Sequence, residues 1–180
     1  MKVGLLFGSF NPIHIGHIAI AKYMAENTDL GQVWLVVSPH NPLKEKKSLA
    51  DAKKRLTQVR KSIGRNPKIK VSDIEFGLPQ PSYTIHTLEF LNKKYSKKKF
   101  TLIIGLDNLI SFHKWKDYKK ILKKFEVYVY PRKTSFNKNI LSRLWKYPNV
   151  TFFNAPLIDV SSTFIREQMM RRKNVKKLLG

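Results

Sequence analysis

Cysteine is absent from the 180 residues, which excludes disulfides and thiolate metal sites and fits a cytoplasmic protein. No apolar run reaches the roughly 18 residues of a membrane-spanning helix. The chain enters an apolar stretch almost at once, with nothing resembling a secretory leader, so the expected location is cytoplasmic. Acidic residues are scarce: 12 Asp and Glu stand against 35 Lys and Arg, a net charge of +23. Such a surface attracts polyanions, and two classes follow, a nucleic-acid binder or an enzyme acting on nucleotides. The basic residues are dispersed over Lys44–Lys47, Lys53–Arg55, Lys97–Lys99, Lys114–Lys124 and Arg171–Lys177. They form no single basic arm, and no aromatics alternate with them as a base-stacking platform requires. Most read as solvated faces, and nucleic acid is not the expected partner. Internal repeats and low-complexity linkers are missing too. With 42% apolar residues, one domain over residues 1–180 is expected, its C-terminal helical part 161–180 packed upon it. The oligomeric state stays open, a homo-oligomer included.

What the chain does have is alternation. Short runs of Val, Ile, Leu and aromatics at Val3–Phe7, Gln32–Ser38, Ile69–Ser72, Thr101–Ile104, Val127–Tyr130 and Val150–Asn154 read as strands covered on both sides. Helices are expected at Ile15–Glu26, Ala50–Ile63, Thr84–Tyr95, Ile140–Tyr147 and Thr163–Arg172, with an irregular pair over Asp107–Leu122. The pattern predicts a doubly wound α/β fold, a Rossmann-like parallel sheet with helices on both faces.

The first strand runs into Gly8-Ser9-Phe10-Asn11-Pro12-Ile13-His14-Ile15-Gly16-His17 and then into a helix. Strand, tight turn and helix start make a phosphate-binding layout, since the first helical turn offers unpaired N–H groups and the positive dipole end. Gly8 permits a sharp turn and close approach, and Gly16 removes a side chain where a ligand could reach the main chain. His14 and His17 are three apart, which on a helix places both rings on one face, and each can donate to a phosphoryl oxygen. Histidines that merely finish a helix start are the plainer alternative. With no Asp or Glu between Lys2 and Met24, and no cysteine, they are not read as metal ligands.

Five further places carry possible chemistry. Pro39-His40-Asn41-Pro42-Leu43-Lys44 is a loop beyond the second strand, where Lys44 is either a solvated lysine or a phosphate contact, and His40 is equally open. In Ser82-Tyr83-Thr84-Ile85-His86-Thr87-Leu88, Ser82 or Thr84 can cap the next helix and free neighbouring N–H groups for an anion. Gly105-Leu106-Asp107 follows a strand; Gly105 permits close approach and Asp107 suits ribose hydroxyls, although the same string describes many helix caps. Trp115 is either core or a stacking platform. In Asp159-Val160-Ser161-Ser162-Thr163-Phe164-Ile165-Arg166, hydroxyls, free N–H groups and a guanidinium make a cradle for a triphosphate, with simple capping by Ser162 and Thr163 as the alternative.

These strings, in this order from Lys2 to Arg166, resemble the bacterial nicotinate-mononucleotide adenylyltransferases. Those belong to the nucleotidyltransferase superfamily, which shares the His-x-Gly-His tetrad, here His14-Ile15-Gly16-His17, with class I aminoacyl-tRNA synthetases. The chain departs from the family pattern at His86, where Asp is usual, at Val160, where Ile is usual, and at Lys133-Thr134, where Pro-Gly is often found after the loop arginine. The resemblance implies transfer of AMP from ATP to the phosphate of nicotinate mononucleotide, releasing pyrophosphate, in NAD biosynthesis. It implies His14, His17 and Arg166 as catalytic residues. It implies ATP contacts from Gly8, Ser9, Phe10, His17, Lys44, Gly105, Asp107, Ser162, Thr163 and Arg166. The mononucleotide would meet Ser9, Phe10, Tyr83, Thr84, Trp115, Tyr118 and Arg132, with Trp115 stacked on the pyridine. No protein nucleophile is needed, and Mg²⁺ is expected to arrive on ATP, held by phosphates and water because no carboxylate cluster is visible.

The alternatives are sister adenylyltransferases with a nicotinamide mononucleotide, phosphopantetheine or flavin acceptor, a synthetase, or a nucleic-acid-binding module. Phosphopantetheine and flavin enzymes would lack Ser-Tyr-Thr and the Asp-to-Trp spacing. Lys94-Tyr95-Ser96-Lys97-Lys98 is similar to a synthetase loop but lies before a central strand, in a chain too short for a tRNA-binding domain. A nucleic-acid module explains the charge and none of the motifs.

Overall fold

Strand β2, Gln32–Val37, shows why the central strands are apolar rather than alternating. Val33, Leu35 and Val37 pack into one hydrophobic cluster, and Trp34 and Val36 into another on the opposite face. A strand buried on both faces has no solvent side on which to place polar residues. The computed structural model describes residues 1–43, 49–132, 147–171 and 173–179. Its other strands are β1 Lys2–Gly8, β3 Ile69–Ser72, β4 Lys99–Gly105, β5 Glu126–Tyr130 and β6 Val150–Phe152. They join β2 in one sheet of order β3-β2-β1-β4-β5-β6, every neighbouring pair parallel. This is the Rossmann-like, doubly wound order that alternating strands and helices imply.

The helices are α1 Ile15–Asn27, α2 Ala52–Ile63, α3 Thr84–Lys94, α4 Leu106–Ile110, α5 Tyr118–Lys124 and α6 Ser162–Met170. α1 and α2 contribute Ala21, Met24, Leu56 and Val59 to one core, and α3 and α5 contribute Leu88, Leu91, Ile121 and Leu122 to the other. α2 starts at Ala52 and not Ala50, because the Asp51 carboxylate accepts from Lys54 N–H at 2.9 Å and so fixes the cap. Gly64, at φ +58°, closes the helix by donating to the Arg60 carbonyl. A 3-10 turn at Ile74–Gly77 has no hydrophobic period and was not legible in the sequence. β6 stops at Phe152, two residues short of the expected end. The helix expected over Ile140–Tyr147 lies, apart from Tyr147, outside the described residues.

Chain leaving β1 turns to one face through α1, and chain reaching β4 comes from α3 on the other. The loops beyond β1 and β4 therefore diverge and leave a crevice at the C-terminal ends of the strands. At the far end of the sheet Lys2 Nζ reaches Asp29 at 2.6 Å, the Tyr128 hydroxyl at 2.8 Å, and Glu126, tying β1 to β5. Among the described residues no helix is long and apolar enough to cross a membrane.

Candidate active site

The crevice is a cleft of about 630 Å³. Its floor is Gly8, Ser9 and Phe10, and the first turns of α1 and α6 face it with His14, His17, Ser162, Thr163 and Arg166. Tyr83, Thr84 and Trp115 line it elsewhere, as do Asp107 and Arg132. Four separate strings of the sequence thus meet in one cavity. Lys44 lies outside the described residues.

The backbone around Phe10 is held under strain. Phe10 has φ +44°, a conformation unfavourable for a residue with a bulky side chain, and it persists because the ring is buried to 2% exposure. The Phe10 ring lies within 2.8 Å of where a side chain on Gly8 would stand, and meets the His17 ring edge-on at 5.0 Å. His17 is held further by its own Nδ1, which accepts the His14 backbone N–H at 3.3 Å. A nitrogen that accepts carries no proton, so in the neutral ring the proton sits on Nε2. The His14 ring stacks on His17 with centroids 3.7 Å apart.

Gly16 serves differently from its sequence reading. The space where a side chain would begin is filled by the His14 ring, with Nδ1 at 3.0 Å, so the missing side chain admits His14, while Gly16 also lines the cleft. His14 itself is buried, and among the described residues its Nδ1 has no well-formed hydrogen bond. Loss of hydration, aided by the nearby Arg132 guanidinium, pushes its pKa down to about 4, so the ring is neutral at pH 7. The unfolded chain, with a histidine pKa near 6.5, binds that proton more readily. The contribution to stability is therefore complete above about pH 6.5 and is lost as pH falls toward 4. His14→Gln should flatten this part of the pH–stability curve in urea titrations; an unchanged slope between pH 6.5 and 4 would contradict it.

α6 is joined to the β1–α1 loop by two bonds, and a third within the helix orients its arginine. Arg166 Nη1 donates to the Asn11 carbonyl at 2.7 Å, Arg166 Nη2 to Thr163 Oγ1 at 3.1 Å, and Ser162 Oγ to the Pro12 carbonyl at 2.9 Å. The cap of α6 is Ser161, which accepts Phe164 N–H at 3.1 Å, so Ser162 and Thr163 are not the capping pair expected. Their hydroxyls are used to hold loop and arginine instead. At α3 the cap position is Tyr83, with no side-chain bond, so neither Ser82 nor Thr84 caps that helix.

Gly105 is not on the cleft wall. A side chain there would run into Asp107 and stand 2.8 Å from Arg132 Cγ and 3.2 Å from the Tyr130 ring. The glycine lets those three converge. Asp107 and Arg132 lie 4.0 Å apart at the rim, and Arg132 also donates to the Val160 carbonyl at 3.4 Å. Burial pushes the Tyr130 phenol up to about 12, so it stays protonated. Trp115 is both core and wall: its ring packs on Phe112 at 4.8 Å and also lines the cleft. Tyr118 falls short of the role the resemblance gave it. It does not line the cleft, and its backbone N–H donates to the Trp115 carbonyl at 3.2 Å, so that N–H is not free for a ligand. Lys116 Nζ lies 4.6 Å from the Tyr83 ring centre and so links the Tyr83–Thr84 segment to the Trp115 wall.

One residue read as part of a solvated charge run proves central. Arg55 is 1% exposed and donates to the carbonyls of Ser9, Ser38 at 2.9 Å, Pro39 at 2.8 Å and Ala50 at 2.9 Å. It thereby fixes the loops beyond β1 and β2 relative to each other. The signal was present in the helical spacing: Arg55 stands one turn before Val59, on the buried face of α2. Arg55→Met should destabilise the fold by about 2 kcal/mol in urea unfolding, because charge-assisted bonds are lost and carbonyls stay buried. A change below about 0.5 kcal/mol would mean the carbonyls find other donors.

The Cytidylyltransferase-like family model matches residues 5–168. The chain belongs to this family of nucleotidyltransferases. A relative from Flavobacterium psychrophilum that carries the name nicotinate-nucleotide adenylyltransferase is 51% identical, over 99% of this chain and 92% of its own. One of the same name from Bacteroides fragilis is 44% identical, over 99% and 87%. Among solved structures, Plasmodium falciparum nicotinic acid mononucleotide adenylyltransferase in complex with NaAD superposes with a TM-score of 0.79 at 18% identity, covering 99% of this chain and 90% of that one, which speaks to the fold. Within the family, the chain stands with the nicotinate-nucleotide adenylyltransferases.

Proposed function

We propose that the protein transfers AMP from ATP to the 5′-phosphate of nicotinate mononucleotide, giving nicotinate adenine dinucleotide and pyrophosphate in NAD biosynthesis. The observation that carries this reading is the convergence of the α1 and α6 N-termini, His17 and Arg166 on one cleft, opposite Tyr83, Thr84 and Trp115. The first group suits phosphates, and the second suits a flat ring bearing an anion.

In the reaction the acceptor phosphate attacks the α-phosphorus of ATP and pyrophosphate leaves. The chain supplies position and compensating charge, with no covalent intermediate. His17 donates from Nε2 to the phosphoryl group in transfer. Neutral His14 backs that ring and keeps its orientation. Gly8, Ser9 and Phe10 lie under the α-phosphate and acceptor phosphate. Asp107 takes the ribose hydroxyls, with Gly105 giving it room, and Arg132 faces the acceptor side. Ser162, Thr163 and Arg166 hold the β- and γ-phosphates, and Lys44 is assigned to the same anions. Asp107 is the one acidic residue on the cleft wall among the described residues, and it lies near Arg132. Mg²⁺ therefore comes bound to ATP, where it screens the phosphate charges, and is held by phosphate oxygens and water. Residues 1–180 act as one nucleotidyltransferase domain with 161–180 packed on it, in the cytoplasm. Homo-oligomerisation stays compatible, and the +23 charge serves no nucleic-acid partner in this reading.

The test mixes protein, ATP and Mg²⁺ with nicotinate mononucleotide, nicotinamide mononucleotide or phosphopantetheine, and measures pyrophosphate. Release with nicotinate mononucleotide is expected; release with phosphopantetheine alone would overturn the assignment. Arg166→Ala should raise the KM for ATP by about tenfold or more, as for a charged hydrogen bond lost, with the acceptor KM little changed. An unaltered KM for ATP would make the arginine a tie between α6 and Asn11 only.

A further inference from the structure

Glu75 is a buried carboxyl that the mechanism above does not use. It sits in the 3-10 turn after β3, is 1% exposed, and is not on the cleft wall. Thr87, in the second turn of α3, donates from Oγ1 to Glu75 Oε1 at 2.7 Å. The hydroxyls of Ser38, at the end of β2, and Ser82 also face the carboxyl and stabilise its charge, although burial raises its pKa overall. The second oxygen, Oε2, and the Ser82 hydroxyl are both buried without a well-formed bond of their own. Ser82 N–H is in turn fixed on the His40 carbonyl at 2.9 Å. Three elements thus meet at one carboxyl: the end of β2, the turn after β3, and the start of α3.

Ser38, Ser82, Tyr83 and Thr84 all belong to the cleft wall. The backbone N–H groups of Thr84 and Ile85 begin α3 and have no partner among the described residues. Where they stand depends on what anchors α3: Ile85, Leu88 and Leu91 in the core, and the Thr87–Glu75 bond near its start. A buried carboxylate is costly unless hydroxyls or N–H groups surround it, so its place here needs a reason beyond packing. Leucine or methionine would fill the volume but could not hold Ser82 and Thr87 in register. We propose that Glu75 is a positioning residue for the acceptor: through Ser82 and Thr87 it sets the Tyr83–Thr84 main chain at the distance from Trp115 that a pyridine ring and its substituent require. This rests on the reading of the cleft as an adenylyltransferase site, and deepens it.

The experiment measures both Michaelis constants on folded variants. In Glu75→Leu the KM for the acceptor should rise by about tenfold, the loss of one to two buried bonds, while the KM for ATP stays within about twofold. Glu75→Gln, which keeps an oxygen for Thr87, should recover part of that loss. If Glu75→Leu does not fold, Thr87→Val, nearly isosteric, carries the same comparison from the other side. Equal rises in both constants, or no rise in either, would overturn the proposal, because a merely structural glutamate would not single out the acceptor. Should the wild type adenylate a different acceptor, the functional reading fails, and the same split measured with that acceptor still decides the role of Glu75.

Discussion

Replacing His17 with alanine is expected to lower kcat by at least about a hundredfold, the loss of one oxyanion-type donor, in a protein that still folds. The ring is held by three contacts at once: the Phe10 edge at 5.0 Å, the His14 face at 3.7 Å, and the His14 N–H on Nδ1. These fix the side chain before substrate arrives, so no ordering cost falls on the transition state. They also fix the tautomer, since Nδ1 is occupied as an acceptor and Nε2 is left as the donor. As charge shifts among the phosphoryl oxygens, a donor already in place gains strength there and not in the ground state. His17 lies on the cleft wall and belongs to neither core, so its removal leaves the sheet intact and bares only the edge of Phe10. Steady-state turnover at saturating ATP and acceptor, beside circular dichroism of the variant, is the check. Near-normal turnover in a folded variant would reduce His17 to a packing role.

Nicotinate mononucleotide should be used about a hundredfold more efficiently than its amide, judged by kcat/KM, which corresponds to about 3 kcal/mol. The two acceptors differ in a carboxylate against a carboxamide. A wall that offers donors and no acceptor leaves the amide NH₂ facing other N–H groups. The N–H groups at the start of α3 are such donors, and the positive end of that helix lies with them. Lys114 and Lys116 stand on the opposing wall and add a field of the same sign. The Tyr118 N–H is not one of these donors, because it is spent on the Trp115 carbonyl. Stacking on Trp115 serves both rings alike and so cancels in the ratio. Equal efficiency for the two acceptors would remove the acid-specific reading and leave the adenylyl transfer standing.

The fold was legible because the central strands are nearly unbroken apolar runs separated by longer polar-rich segments, so the order of elements followed; the edge strands β3 and β6 are short and mixed. The sites were legible where a string carries its own chemistry, as at His14–His17 and Ser162–Arg166. What escaped was tertiary. Arg55 and Glu75 look like ordinary surface charges until the loops they hold are seen around them. The use of Ser162 for the Pro12 carbonyl, and of Ser161 for the cap, turns on a one-residue difference in where α6 begins. Gly16 and Gly105 were read as openings for a ligand, whereas the space belongs to His14 in one case and to Asp107, Arg132 and Tyr130 in the other. A sequence shows that a side chain is missing but not who takes its place.

The bonds from Ser162 to Pro12 and from Arg166 to Asn11 span 150 and 155 positions of the chain. Local pairing can assemble the neighbouring strands early, but these contacts close one of the longest loops the protein contains, and such closure comes late. During synthesis the phosphate-binding turn emerges about 150 residues ahead of the helix that completes it. A nascent chain thus carries half a nucleotide site until α6 has followed. Catalytic competence in this protein waits on α6.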